Sequence, residues 1–260
     1  MSPPVPPVAQ PLYLQDDHCF ECDAILLAVD GNSLAFDQTC FHPGGGGQPP
    51  DQGQVNFYKD QLVLPISTVQ ADNVGVLWHT SPDTLPDLKS GQSARLMLDI
   101  PRRLALMRYH TVLHILNTIA LRNHQAWITG VQIGTESSRI DFNFSVLNQE
   151  LCHQLEEEVN QVIRADHTLC TYTISREQFD QRPDLLRTLD VKPPIHHGKV
   201  RVVEISGFDA QACGGTHVDH TGELGHFSIL RTENKGRNNK RLYVHLGFNS
   251  FSLGREDGDR

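Results

Sequence analysis

From Leu12 to about Ile100 apolar residues recur at alternate positions in short runs separated by turn residues, the period of half-buried strands. Ala24–Val29 and Ser33–Phe36 flank Asp30-Gly31-Asn32, a strong hairpin signal. Gln54–Tyr58, Leu62–Val69, Val74–His79 and Arg95–Ile100 continue the series, with breaks at Lys59-Asp60, at Asp72-Asn73 and from Pro82 to Gly91. No amphipathic helix is predicted here. A small β-barrel is the natural way to close several short strands without exposing edges.

At Pro101 the period changes. Arg102 to about His124 reads as one long helix, with Pro101 at its entrance where a missing N–H costs little. Trp127–Ile133 and Arg139–Phe144 read as strands. Asn148 is a candidate N-cap for a second helix, Gln149 to Ala165, in which Leu151, Leu155, Val159 and Val162 fall at helical spacing. Leu169–Ile174, Lys199–Ile205, Phe227–Thr232 and Leu242–Leu246 supply further strands, and Ser175 with Gln178 can form a capping box. The fold class predicted is α+β: an N-terminal β-barrel over 12–100, then helices packed on an antiparallel sheet over 101–250. Segments 1–11, rich in proline, and 251–260 read as loose tails.

Composition narrows the setting. The tail at 1–11 has five prolines, no basic residue and no apolar core, so it is no signal peptide, and no run is long enough to span a bilayer. A cytoplasmic protein is expected. Six scattered cysteines are too few for a disulfide scaffold in 260 residues, and the C-x2-C pair Cys19/Cys22 has no second pair at zinc-ribbon distance. A net charge of −9 argues against a broad nucleic-acid-coating surface while leaving room for a local basic patch.

Two short motifs carry candidate chemistry. His110-Thr-Val-Leu-His114 places two imidazoles one turn apart on one face of the long helix. In Cys213-Gly-Gly-Thr-His217 two glycines let a thiolate and an imidazole converge. Together they offer three nitrogens and one sulfur, a set suited to tetrahedral zinc. Spacing alone leaves ordinary hydrogen-bonded core histidines equally open. A zincin protease would need Glu after the first histidine, and Thr111 stands there.

Phe41-His-Pro-Gly-Gly-Gly-Gly-Gln48 with Asp51 and Gly53, Met107-Arg-Tyr-His-Thr-Val-Leu-His-Ile-Leu116 and Cys213-Gly-Gly-Thr-His-Val218 occur in this order over a stretch from about Leu12 to Phe248. This combination resembles the editing domain of alanyl-tRNA synthetase and its free-standing relatives, the AlaX family, in their medium-length form. The glycine-rich stretch separates the chain from the threonyl-tRNA synthetase editing domain. The resemblance implies a zinc site at His110, His114, Cys213 and His217, and a substrate pocket formed by Thr39, Gln132, Gly44, Gly45, Gly46, Gly47 and Gln48. In this pocket Thr39 would sense a seryl hydroxyl. His42 departs from the family, which usually has tyrosine there.

The implied activity is hydrolysis, without ATP, of the ester on mischarged alanine tRNA, with seryl- and glycyl-tRNA as substrates and zinc as the one cofactor. Arg102, Arg103 and Arg108, together with Lys235, Arg237, Lys240 and Arg241, are the candidate tRNA contacts. Helix-surface solvation is the alternative for the first three. Two rival readings remain: a non-catalytic tRNA-binding module with structural zinc, and a zinc hydrolase of another aminoacyl ester. No membrane partner or nucleotide cofactor is expected.

Overall fold

The structure, a computed structural model, describes residues 6–187, 193–196, 198–237 and 239–247. The segment 251–260 and the first five residues lie outside them. The chain packs earlier than the expected start at Leu12: Ala9 is buried, and β1 (Gln10–Pro11) pairs in parallel with β4 (Gln38–Thr39), which follows β2 (Glu21–Asp30) and β3 (Ser33–Phe36).

β2 shows why the alternation folds this way. Cys22, Ala24 and Leu26 point inward while Glu21, Asp23 and Ile25 face out. Asp30 of β2 pairs with Ser33 of β3, which leaves Gly31-Asn32 as a two-residue turn whose Gly31 takes φ +57°. Then come β5 (Gly53–Phe57), β6 (Leu62–Ile66), β7 (Thr68–Ala71), β8 (Leu77–Thr80) and β9 (Ser93–Leu98). The predicted strand 62–69 is broken at Ser67, and the one predicted at 74–79 shrinks to β8 because Asp72–Gly75 form a turn.

Seven of these strands form one sheet in the order β6-β5-β9-β2-β3-β8-β7. Its two edge strands are consecutive in the chain, parted only by Ser67, whose N–H donates to Thr80 O at 3.0 Å. The sheet therefore curls until its ends nearly meet. Among the described residues no ladder pairs β6 with β7, and the strands expected to form a small barrel are seen as one curled seven-stranded sheet.

α1 (Ile100–His124) begins where Asp99 caps the N–H of Arg102 at 3.1 Å. Every residue from Tyr109 to Ala120 is buried, so α1 is a central helix rather than an amphipathic surface one. Around it lie β10 (Ile128–Gln132), β11 (Ser138–Phe142), α2 (Gln149–Arg164), β12 (Leu169–Ser175), α3 (Arg176–Asp180), β13 (Ile195–His196), β14 (Lys199–Ile205), β15 (Asp209–Ala212), β16 (His226–Asn234) and β17 (Lys240–Gly247). The Asn148 cap and the Ser175/Gln178 capping box form as predicted.

One antiparallel sheet runs β10-β11-β17-β16, and a second centres on β14 with β12, β13 and β15. A large core of α1, α2 and sheet residues includes Leu106, Leu116, Phe142, Val159 and Phe227. A separate core fills the curled sheet. The two are tied by a residue expected to touch tRNA. Arg103, fully buried, forms an ion pair with Asp51 and donates to Cys40 O (2.7 Å) and Asp17 O (3.0 Å). It pins the first turn of α1 to the N-terminal sheet.

Candidate metal centre

The helix pair and the loop pair meet. One ligand atom each from His110, His114, Cys213 and His217 falls in a group whose members all lie within 4.8 Å of one another, and among the described residues no other such group forms. Cys213 Sγ is 3.4 Å from Nε2 of both His110 and His217. A tetrahedral site with ordinary metal–N and metal–S bonds has an N···S edge of about 3.6 Å, so the spacing suits one ion at the centre. The donor set, three imidazoles and a thiol, fits the same conclusion.

Hydrogen bonds fix which nitrogen faces inward. The N–H of Thr216 donates to Gln48 Oε1 at 3.1 Å, so the amide oxygen of Gln48 must point that way. The same oxygen takes a hydrogen bond from His110 Nδ1 at 2.8 Å, and Gln48 Nε2 donates to Thr216 Oγ1 at 3.0 Å. His110 Nδ1 therefore carries the proton, and its Nε2 lone pair is turned toward Cys213. Thr111 Oγ1 lies 3.0 Å from His217 Nδ1 and holds that ring by its outer nitrogen. Gln48 is thus a positioner of His110, and it sits behind that ring.

Burial sets the charge states. It pushes His110 and His217 well below the usual imidazole range and His114 down to about 3, with Arg187 and Arg201 adding to the last. All three rings are neutral, the form that binds a metal. Burial also lifts the Cys213 thiol to about 11, against the Gly215 N–H and Arg201. A bound cation would reverse that shift by favouring the thiolate.

The loop that carries Cys213 needs its glycine. A Cβ on Gly215 would lie 2.1 Å from His110 Cε1. Arg201, which sequence reasoning missed, holds this loop: it donates to Gly215 O (2.7 Å) and Cys213 O (3.2 Å) and pairs with Asp17 at 2.7 Å. A lone arginine among the valines of β14 gives no local signal of that role.

The cluster edges a cavity of about 1140 Å³. His110, His114 and Cys213 line it, as do Gly44–Gly46, and apolar Leu113, Val131 and Ile140 form much of its wall. Gly44–Gly47 all take positive φ, and a Cβ on Gly47 would lie 2.4 Å from Val131 Cγ1, so the loop docks closely on β10. Gly47 O accepts from the N–H of Ile133 at 2.8 Å. His42 is buried, neutral and held down to about 4 by burial. Its Nδ1 accepts from Gly44 N–H at 3.0 Å, and it makes a further bond to the Gly214 backbone. It links the glycine loop to the cysteine loop.

Several expected site residues stand elsewhere. Thr39 is buried in the N-terminal core and does not line the cavity. His79 Nδ1 donates to Leu34 O, so Nε2 accepts from the Thr39 hydroxyl (2.8 Å), whose oxygen in turn accepts from Phe41 N–H (3.0 Å). Gln132 is exposed and accepts from Arg139 Nε at 2.8 Å, because β10 turns its neighbours Val131 and Ile133 toward the cavity instead.

The basic set also divides. Lys240 is buried and donates to Asn234 Oδ1, Gly236 O and Arg237 O, closing the β16–β17 connection from inside. Arg241 makes a two-pronged pair with Asp141 on β11. Arg102 is half-buried and donates to Pro50 O. Arg108 is half-buried. Lys235 is exposed and paired with Glu233, and Arg237 is exposed.

Residues 200–243 match the family described as the threonyl and alanyl tRNA synthetase second additional domain. Over most of its length the chain is similar to proteins named alanyl-tRNA editing protein AlaX-M. That of Methanosarcina acetivorans is 33% identical over 239 residues, 90% of this chain and 98% of the relative. That of Saccharolobus solfataricus is 34% identical over 236 residues, 91% and 98% of the two chains. An alanine–tRNA ligase of Korarchaeum cryptofilum is 34% identical over 229 residues, which are 86% of this chain and 25% of the ligase.

Proposed function

Because the chain belongs to the AlaX family of alanyl-tRNA editing proteins, we propose that it is a trans-editing hydrolase that deacylates seryl- and glycyl-tRNA specific for alanine at a zinc site. The observation that carries this reading is the convergence of His110, His114, Cys213 and His217 at the wall of a cavity edged by the glycine loop. A non-catalytic RNA module has no need of a cavity beside its metal ligands.

The need for the reaction is physical. An apolar pocket rejects an added hydroxyl by only about 10²-fold, and a lost methylene by about 10–200-fold, so alanine charging admits serine and glycine. A second, hydrolytic site removes them. Zinc, when bound, supplies Lewis-acid polarisation of an ester carbonyl or a water.

The chain's own residues prepare the rest. Burial keeps the three imidazoles neutral, while Gln48 and Thr111 hold two of them by their outer nitrogens. Gly44 and Gly45 use their N–H groups inside the loop, donating to His42 Nδ1 and Gln48 O, which leaves that of Gly46, on the cavity wall, for the substrate. Four protein ligands would leave a bound ion no open position. His217 is off the cavity wall, whereas Cys213 is on it and half-buried, so Cys213 would be the ligand to give way to substrate or water.

In this reading 12–100 and 101–250 act as two domains, the first presenting the glycine loop and the second the metal ligands. Arg237 and Lys235, with Arg102 and Arg108, receive acceptor-stem phosphates. The test is deacylation of seryl-, glycyl- and alanyl-tRNA with and without chelator. Hydrolysis of the first two, with alanyl-tRNA spared and activity restored by zinc after chelation, is expected. Absence of hydrolysis, or hydrolysis that survives full removal of metal, would contradict the proposal.

A further inference from the structure

Asn117 stands on α1 seven residues after His110 and three after His114, which places all three on one face of the helix. It lines the same cavity and is only 3% exposed. Its amide can be oriented without ambiguity. Gln211 Nε2 lies 3.1 Å from His114 O and 2.9 Å from Asp209 Oδ2, two atoms that can only accept, so the NH₂ end of Gln211 faces them. Gln211 Oε1 is thereby turned to Asn117 and takes a hydrogen bond from Asn117 Nδ2 at 3.1 Å. What Asn117 has left is its oxygen. Among the described residues Asn117 Oδ1 has no hydrogen-bond partner, although it is buried.

A buried acceptor of this kind on the wall of a cavity, one turn from the metal ligands, calls for a donor from the ligand. An aminoacyl ester offers two near its carbonyl: the α-amino group, and in serine the side-chain hydroxyl. Arg187 and Arg201 line the same cavity, and Arg187 joins the Asn117 network through Asp209 at 2.7 Å. Both arginines are paired with carboxylates, Arg187 with Asp209 and Arg201 with Asp17, so charge does not sort the two donors. The α-amino group is common to every aminoacyl ester, whereas the hydroxyl is peculiar to serine, and a discriminating acceptor is matched to the latter. Thr39, the residue first expected to sense that hydroxyl, is committed elsewhere.

We propose that Asn117 is a specificity-determining residue whose Oδ1 accepts a hydrogen bond from the seryl side-chain hydroxyl. The proposal rests on the trans-editing reading above. A seryl group completes the network, whereas an alanyl methyl seals the oxygen away from any donor. A site built to hydrogen-bond a substrate hydroxyl rejects the analogue that lacks it, and the penalty for one unmet buried acceptor corresponds to about tenfold or more in affinity.

The experiment is calorimetric titration of the zinc-loaded protein with non-hydrolysable 3′-amide analogues of seryl-adenosine and alanyl-adenosine. The wild type is expected to bind the seryl analogue about tenfold or more tightly than the alanyl one. In Asn117→Leu the seryl analogue should fall to the alanyl affinity, with alanyl binding not weakened and zinc content unchanged. Asn117→Ala, which adds no volume, gives the same test if the leucine variant does not fold. Retained seryl preference in the variants, or equal weakening of both analogues, would overturn the role of Asn117 and leave the editing reading standing. A wild-type protein that binds neither analogue would overturn both.

Discussion

α1 carries two buried polar clusters two turns apart, and they are opposites. At its first turn Arg103 meets acceptors only: the Asp51 carboxylate, Cys40 O and Asp17 O, with Asp51 also accepting from His42 N–H. Donors and acceptors match, and the cluster is complete within the protein. In the middle of the helix His110, His114 and His217 are neutral rings converging on a thiol, with the outer nitrogens of His110 and His217 already taken by Gln48 and Thr111. Only the single proton of the thiol stands between the converging donor atoms there. The lesson is that burial of charge-bearing residues marks structure where the partners are internal, and marks a metal or ligand where donor atoms converge unmatched.

The largest effect should come from breaking the complete cluster. Arg103→Leu leaves Asp51 buried without its partner and should cost about 3–5 kcal/mol of folding stability. Denaturant unfolding measures it. A loss below about 1 kcal/mol would mean that the clamp does not tie α1 to the sheet. No comparable loss is expected for Arg102→Leu, whose single bond to Pro50 O is half-exposed.

Sharpening the comparison at the other cluster takes a milder change. Gln48→Leu and Thr111→Val leave all four donor atoms in place but release the outer nitrogens of His110 and His217. Metal affinity should weaken about 10–100-fold, read by competition with a chromophoric chelator. Unchanged affinity in both variants would remove Gln48 and Thr111 from the site's support.

The smallest effect concerns the surface. Arg237→Ala should lower the salt slope of tRNA binding by roughly one, with stability and metal content unaltered. Lys240→Ala, by contrast, removes three bonds that close the β16–β17 connection and should lower stability first. If Arg237→Ala leaves the slope as it was, the tRNA path lies on another face.

These pairs also show what the sequence makes legible. The hairpin at Gly31-Asn32, the Asn148 cap, the capping box at Ser175 and the spacing of His110 with His114 are local, set by residues within a few positions of one another. They form as predicted. Partners distant in sequence are another matter. Arg103 finds Asp51 across 52 residues and Arg241 finds Asp141 across 100, so neither could be told from a free surface cation. Gln132 was partly readable: its alternation with Val131 and Ile133 already puts it on the opposite face of β10. For Thr39 and Arg201 no local pattern exists, because their roles come from His79 and Asp17, which only the tertiary fold brings near.

The most direct measurement is elemental analysis of metal-replete protein beside folded His110→Ala and His217→Ala variants. About one zinc per wild-type chain, falling away in both variants, is the expected result. A folded wild-type protein that holds no zinc, or variants that hold as much as the wild type, would contradict a single site built from the helix pair and the loop pair.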